Sequence, residues 1–293
     1  MPLSRQYWKA RAIRYFFMTC AATSVLIVAL VFLFLGKESI PFVAEHGIGE
    51  LLGDIWQPVS FEDEQFGILP LITGSILVTI LATIFAVPFG VISAIYIAEM
   101  ASPVEREIWK PVIELLAGIP SVVLGFFGLV VVAPLVKETF GLSSGLNALT
   151  GSFLLALMAI PTIITISEDA IRNVPQSFKE ASYSLGASKL QTIWKVTVPA
   201  ALSGIVAAVM LGLGRVVGET MAVMMVTGNA AIVTWSPTDP VRTMTATVAA
   251  EMGEVPFGSE HYHALFVIGV VLLFMTFGLN MVAQRVLKKY RIG

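Results

Sequence analysis

Lys179-Glu180-Ala181-Ser182-Tyr183-Ser184-Leu185-Gly186, followed by Ile193 and Pro199, forms a polar, structured island in an otherwise apolar chain. Val174-Pro175 stops the preceding helix, Ser177 and Glu180 have capping-box spacing, and Gly186 is able to take the left-handed conformation that closes a helix. The stretch predicts a helix of about two turns. Phe178, Ala181 and Leu185 recur at i, i+3 and i+7, which gives that helix one modest apolar face for a partner.

Composition says where such an island sits. Charged residues are 13% of the 293-residue chain and apolar residues 56%, against about 25% charged in soluble proteins. Too few charges remain to dress a water-facing surface, so the chain reads as a polytopic membrane protein. Run length excludes a soluble protein with a large core. Uncharged stretches extend from Tyr15 to Gly36, Gln65 to Ala98, Leu115 to Val136, Thr139 to Ser167, Val196 to Gly214 and His261 to Gln284. Each reaches the roughly 17 to 25 residues that cross a bilayer. A further stretch, Thr220 to Pro237, reads as the continuation of the helix beginning near Ala200, running on into a polar loop. The predicted fold is all-α, with six transmembrane helices.

Orientation follows from the basic residues. Arg5, Lys9, Arg11 and Arg14 precede the first span, and Arg285, Lys288, Lys289 and Arg291 follow the last. Arg106 and Lys110 share one loop, and Arg172, Lys179, Lys189 and Lys195 surround the polar island. The positive-inside rule makes both termini and these loops cytoplasmic. Lys37, Lys137 and Arg242 fall in the outer loops, which are acidic: Glu45, Glu50, Asp54, Glu62, Asp63 and Glu64 early, Asp239, Glu251, Glu254 and Glu260 late.

The basic N-terminus and first apolar run do not read as a signal peptide, because the run is too long and no small-residue cleavage site follows Gly36. Cys20, the only cysteine, excludes an intrachain disulfide and reads as membrane packing. His261-x-His263 lacks a clear third ligand, so no metal site is expected, and His46, His261 and His263 read as exposed loop or boundary residues.

Gly204, Ala208 and Gly212 form one small-residue stripe on the fifth span and Gly214-x-x-x-Gly218 another; such stripes let helices approach closely, for static packing or for motion. Pro88 with Gly90, and Gly118 with Pro120, interrupt the second and third spans and predict bends. Arg215 lies about 20 Å along the helix from Ala201, near the bilayer centre. An arginine there costs about 2.5 kcal/mol or more and belongs in the bundle interior or a substrate path. Glu219, four residues on, falls on the same helical face. The pair reads either as a salt bridge that only fixes the bundle, or as a guanidinium that takes an oxyanion while Glu219 competes for it and keeps binding weak enough for release.

The order E-A-A, then Gly, then Ile and Pro resembles the EAA loop of ABC importer permeases, with Ser182 in place of the second alanine. Leu213-Gly214-Arg215-Val216-Val217-Gly218-Glu219-Thr220-Met221-Ala222-Val223 is similar to the fifth-span signature of the phosphate permeases of that class. Gly118-Ile119-Pro120-Ser121-Val122-Val123 and Ile166 through Pro175 also resemble that family, and Gly228-Asn229, Arg242 through Thr247 and Glu251-Met252-Gly253-Glu254 resemble its PstC branch. The resemblance covers the chain from about Phe66 onward.

It implies a type I importer permease fold and the channel-forming subunit of an ATP-driven phosphate importer in a bacterial or archaeal inner membrane. Residues 1-65 would supply the N-terminus, first span and outer loop, and residues 66-293 the permease core with a coupling loop at about 168-199. The implied partners are a PstA-like second permease, two PstB-like ATPase subunits and a PstS-like periplasmic phosphate-binding protein. Arg215, Glu219 and Thr220 would line the substrate path, and Glu180, Ala181 and Gly186 would couple to the ATPase. Glu180 alternatively only caps its helix. The chain has no G-x-x-x-x-G-K-[ST] loop, so no catalytic role and no cofactor is expected on it, with ATP and Mg held by the partner ATPase. The Arg215 chemistry also fits sulfate, molybdate or phosphonate, and an ion-coupled secondary transporter would make Glu219 a proton site.

Overall fold

A computed structural model describes residues 3–60 and 63–290; Glu62 and Arg291 lie outside the described residues. It contains six helical segments long and apolar enough to cross a membrane: Ala10–Leu51, Leu69–Met100, Ser121–Phe140, Ala148–Arg172, Lys189–Gly218 and Glu260–Arg285. The helices are α1 (Leu3–Leu51), α2 (Leu69–Ile95), α3 (Pro103–Ala117), α4 (Ser121–Phe127), α5 (Ala133–Phe140), α6 (Ala148–Arg172), α7 (Gln176–Ser184), α8 (Lys189–Thr192), α9 (Val198–Gly218), α10 (Met221–Val226), α11 (Met244–Glu251) and α12 (Glu260–Tyr290). Three wide π-helical turns, Tyr96–Met100, Gly128–Val132 and Ile193–Thr197, sit within the second, third and fifth spans.

The fourth span is the axis of the bundle. Its most apolar window is 61% buried, against 33% or less in the other five. It packs on α2 at one side and α9 at the other, because small residues let the backbones close up. A Cβ added at Gly204 would lie 2.3 Å from the Ala170 Cβ, and one at Gly212 2.7 Å from Ile163 Cγ1. The Gly204-Ala208-Gly212 stripe is therefore the α9–α6 contact. Gly90 serves the same purpose on α2, where an added Cβ would meet Ile163 at 2.7 Å. The helix runs on through Pro88. By contrast, among the described residues nothing beyond their own turns of helix lies within 4 Å of where a Cβ at Gly214 or Gly218 would sit.

The three largest apolar clusters among the described residues stack along the bundle. Leu77, Val78, Ala82, Leu155, Ala159, Ile163, Val216 and Val223 fill the middle. Ile95, Ile97, Ile164, Ile171, Val174, Ile193 and Ile205 fill the end that carries α7. Phe42, Trp56, Phe66, Leu71, Met244, Leu265 and Ile268 fill the opposite end, where the second half of α1, α12 and a short hairpin, β1 (Trp56–Gln57) with β2 (Gln65–Phe66), come together. Residues 10 to 34 of α1 are exposed all round, as suits an apolar helix meant for lipid or another chain.

Several boundaries depart from the sequence reading. The third span begins only after Pro120, and the residues before it form α3, which buries none of its side chains and starts in a Ser102–Glu105 capping box. The Gly118-Pro120 break thus separates a surface helix from a span. The fourth span begins at Ala148, because Gly141 is left-handed (φ 64°) and the Asn147 side chain caps the new helix at Thr150 N. The fifth span ends at Gly218; Thr220 to Pro237 does not continue it. Glu219 is extended (ψ 135°) and the chain restarts as the short α10.

Candidate functional site

At the α7 end, Pro175 precedes the first residue of the helix and no side chain caps it. Ser177 and Glu180 do not form a capping box. The proline, whose φ of −54° suits a helix start, sets the boundary one residue before Gln176, which leaves Ser177 inside the first turn instead of ahead of it. The box forms one loop later, between Ser188 and Gln191. Gly186 has φ 80° and closes the turn, with its amide bonded to the Tyr183 carbonyl at 2.9 Å.

Phe178 and Leu185 are exposed at 48% and 90%, and Glu180 and Ala181 are exposed beside them. An exposed apolar face of this kind on an amphipathic helix is a feature of interaction surfaces. Ser182, by contrast, is buried and shares a 2.9 Å hydrogen bond with Thr192. A serine in place of alanine is therefore an internal tie between α7 and the fifth span. Close by, Glu168 is buried between Lys110 Nζ at 3.2 Å and Arg172 Nη1 at 3.3 Å, which ties α3 to the fourth span. At the start of α3, the Ser102 backbone amide, then the Ser102 and Tyr96 hydroxyls, hold the Glu105 carboxyl below its ordinary range.

Near the middle, Arg215 is partly buried and, among the described residues, takes part in no hydrogen bond or ion pair; the salt bridge to Glu219 is absent. The helix break is the reason. With Glu219 out of helical conformation, its carboxylate accepts from the Ala222 amide at 3.2 Å and heads α10 instead. Its carbonyl accepts from Thr245 Oγ1 at 2.8 Å. The two residues do not share one helical face. Arg215 sits about 60° around α9 from Gly212, between the face packed on α6 and the open face of Leu211, Gly214 and Gly218. Glu219 instead lines a cavity of about 10 Å³ with Ser75, Thr79, Thr243 and Thr245, room at most for one water. Thr220 Oγ1 turns back to the Gly218 carbonyl at 3.3 Å.

The segment behind the break was not legible as a unit. Gly228 (φ 84°) and Asn229 (φ 51°) turn the chain, Arg242 Nε donates to the Asn229 carbonyl at 3.0 Å, and Arg242 Nη1 meets Glu251 at 2.6 Å. His261 Nε2 lies 2.9 Å from the same carboxylate, and Trp56 Nε1 donates to it at 3.2 Å. His263 Nδ1 contacts the Glu38 carbonyl at 2.7 Å, and His46 faces Glu260 at 3.4 Å. The histidines read as exposed are thus drawn in, each against its own glutamate. Only the charge pattern of the late loop hinted at this.

Residues 86–291 match the family of binding-protein-dependent transport system inner membrane components. The chain belongs to that family. A Bacillus subtilis (strain 168) protein described as a probable ABC transporter permease, YqgH, is 40% identical over 261 residues, covering 88% of this chain and 84% of that protein. The phosphate transport system permease protein PstC of Mesorhizobium japonicum is 34% identical over 297 residues, covering 94% and 89%. Among solved structures, the MetNI methionine ABC transporter in an inward-facing conformation superposes with a TM-score of 0.56 at 18% identity, over 76% of this chain and 94% of that one. The fold is that of an ABC importer permease, and the permease is a multi-pass inner membrane protein of the type its relatives supply as membrane subunits.

Proposed function

We propose that this permease is the channel-forming subunit of an ATP-driven phosphate importer, moving phosphate from periplasm to cytoplasm by alternating access. The observation that carries it is Arg215: a guanidinium placed within a membrane span, at the edge of an open glycine face, with no ion-pair partner among the described residues. Leaving it so costs about 2.5 kcal/mol or more. A passing oxyanion supplies the missing charge through paired N–H donors. Glu219, engaged at the head of α10, leaves the arginine available. Relatives named as phosphate permeases make phosphate the preferred anion over sulfate, molybdate or phosphonate.

In this reading the α7 end and both termini are cytoplasmic, in line with the distribution of lysine and arginine. The exposed face of α7, with Glu180, Ala181 and the turn at Gly186, docks on an ATPase subunit of the PstB type. The open face of α9 meets a PstA-like second permease, and a PstS-like binding protein delivers phosphate to the opposite end. ATP and Mg act in the ATPase; nothing on this chain is assigned to them. We assign residues 1-65 to the N-terminus, first span and outer loop, and residues 66-293 to a permease core with the path and the coupling loop.

The test is ATP-dependent uptake of labelled phosphate into vesicles carrying the complete transporter, with arsenate, sulfate and molybdate as competitors. Arg215→Ala is expected to abolish uptake while the complex still assembles, and arsenate alone is expected to compete. Normal uptake in the variant removes Arg215 from the path; competition by sulfate or molybdate changes the substrate.

A further inference from the structure

Among the described residues, two side chains of α7 hydrogen-bond to other elements, one inside a π-helical turn and the other at the residue just before one. Lys179 and Ser182 are three residues apart, so they share one face of α7. That face is turned inward: Ser182 is buried, and the Lys179 side chain is 14% exposed against 10% for its partner Glu99, at 2.5 Å. Glu99 lies inside the π-helical turn Tyr96–Met100 that ends the second span. Thr192, the partner of Ser182, directly precedes the π-helical turn Ile193–Thr197 near the start of the fifth. Two of the three π turns therefore stand where α7 is fastened. Ile97 and Ile193 bury themselves between them in one apolar cluster.

A π turn interrupts the regular hydrogen-bond ladder, and such interruptions recur at functional sites and at kinks. An enclosed ion pair, by contrast, is a stiff element: removing one partner leaves a charge without compensation in a place water reaches poorly. Rigid fastenings that end in irregular turns make a lever with joints.

We propose that Lys179 is a positioning residue for energy coupling. Its ion pair with Glu99, with the Ser182–Thr192 bond beside it, fixes α7 to the second and fifth spans throughout the cycle. The turns at 96–100 and 193–197 are the joints where a shift of α7 becomes a rearrangement of those spans. Glu180, the next residue, faces outward and serves the partner, so adjacent residues divide the work. The proposal rests on the reading of the chain as an ATP-driven permease.

The experiment measures ATP hydrolysis and phosphate uptake together in proteoliposomes holding the complete transporter. Lys179→Glu and Glu99→Lys are each expected to raise the ATP spent per phosphate by about tenfold or more, and the double exchange to restore it to within about threefold. Lys179→Met, which keeps the apolar stem, is expected to uncouple to a lesser degree. In a Cys20→Ser background, Glu99→Cys with Lys179→Cys is then joined by a short bismaleimide. Transport that survives the cross-link supports a permanent fastening. Transport that stops on cross-linking overturns the proposal, since the contact must then open during the cycle. Single variants with unchanged stoichiometry, or a double exchange no better than the worse single, also overturn it. A wild-type complex that hydrolyses ATP without moving phosphate defeats the phosphate reading instead, and the cross-link arm then reads ATP hydrolysis alone.

Discussion

Replacing Glu251 with alanine removes the one acceptor on which three donors converge, Arg242 at 2.6 Å, His261 at 2.9 Å and Trp56 at 3.2 Å. The carboxylate side chain is 18% exposed and that of Arg242 25%, so water reaches the cluster only in part. Hydrogen bonds to a charged group contribute about 1.5 to 3 kcal/mol each. Breaking a buried pair on one side costs about 3 to 5 kcal/mol. Partial exposure puts Glu251→Ala at the lower end, about 3 kcal/mol, and Glu251→Gln at roughly half that, because an amide oxygen still accepts one bond.

The loss should not stay local. Arg242 also holds the Asn229 carbonyl, and the same return segment carries Thr245, whose hydroxyl holds the Glu219 carbonyl. The assay is unfolding of the purified chain in mixed micelles by increasing SDS, for wild type, both Glu251 variants, Arg242→Ala and the Glu251→Ala/Arg242→Ala pair. The double variant is expected to fall short of the sum of the singles by about 1 kcal/mol or more, as for residues of one network. A loss below about 1 kcal/mol for Glu251→Ala, or strict additivity, would refute the network.

Gly204→Val drives a side chain into Ala170 and is expected to cost about 1 to 3 kcal/mol in the same assay, whereas Gly214→Val, with open space around it, should leave the isolated chain within about 0.5 kcal/mol yet reduce co-purification with a second permease; equal effects on the isolated chain would contradict the packing. Gly186→Val meets no neighbour within 4 Å, so its effect is backbone strain alone, about 1 to 2 kcal/mol, seen as weaker ATPase co-purification with substrate preference unchanged. Thr245→Val deletes the bond to the Glu219 carbonyl and is expected to lower phosphate uptake several-fold with little change in stability, about 1 kcal/mol; unchanged uptake would show that the helix break holds itself.

How much was legible depended on how local the cause was. The Gly186 turn follows from one residue, and the exposed Phe178–Leu185 face from helical spacing. The Ser177–Glu180 box failed although its spacing was right, because Pro175 fixed where the helix begins; Ser102–Glu105 and Ser188–Gln191 carry the same spacing and did form. For Arg215 and Glu219, spacing four residues apart implied one face. The tertiary bonds from Thr245 and the restart at Met221 took Glu219 out of the helix.

By itself, then, the sequence determined the count of six spans, the short polar helix between the fourth and fifth and the presence of a costly arginine in the fifth span, since run length, charge and turn chemistry act over a few residues. Which glycine stripe packs and which lies open, where the fifth helix stops, and how Glu251 gathers partners from residues 56, 242 and 261 were decided only in three dimensions. These depend on contacts between segments far apart in the chain, and no local pattern records them.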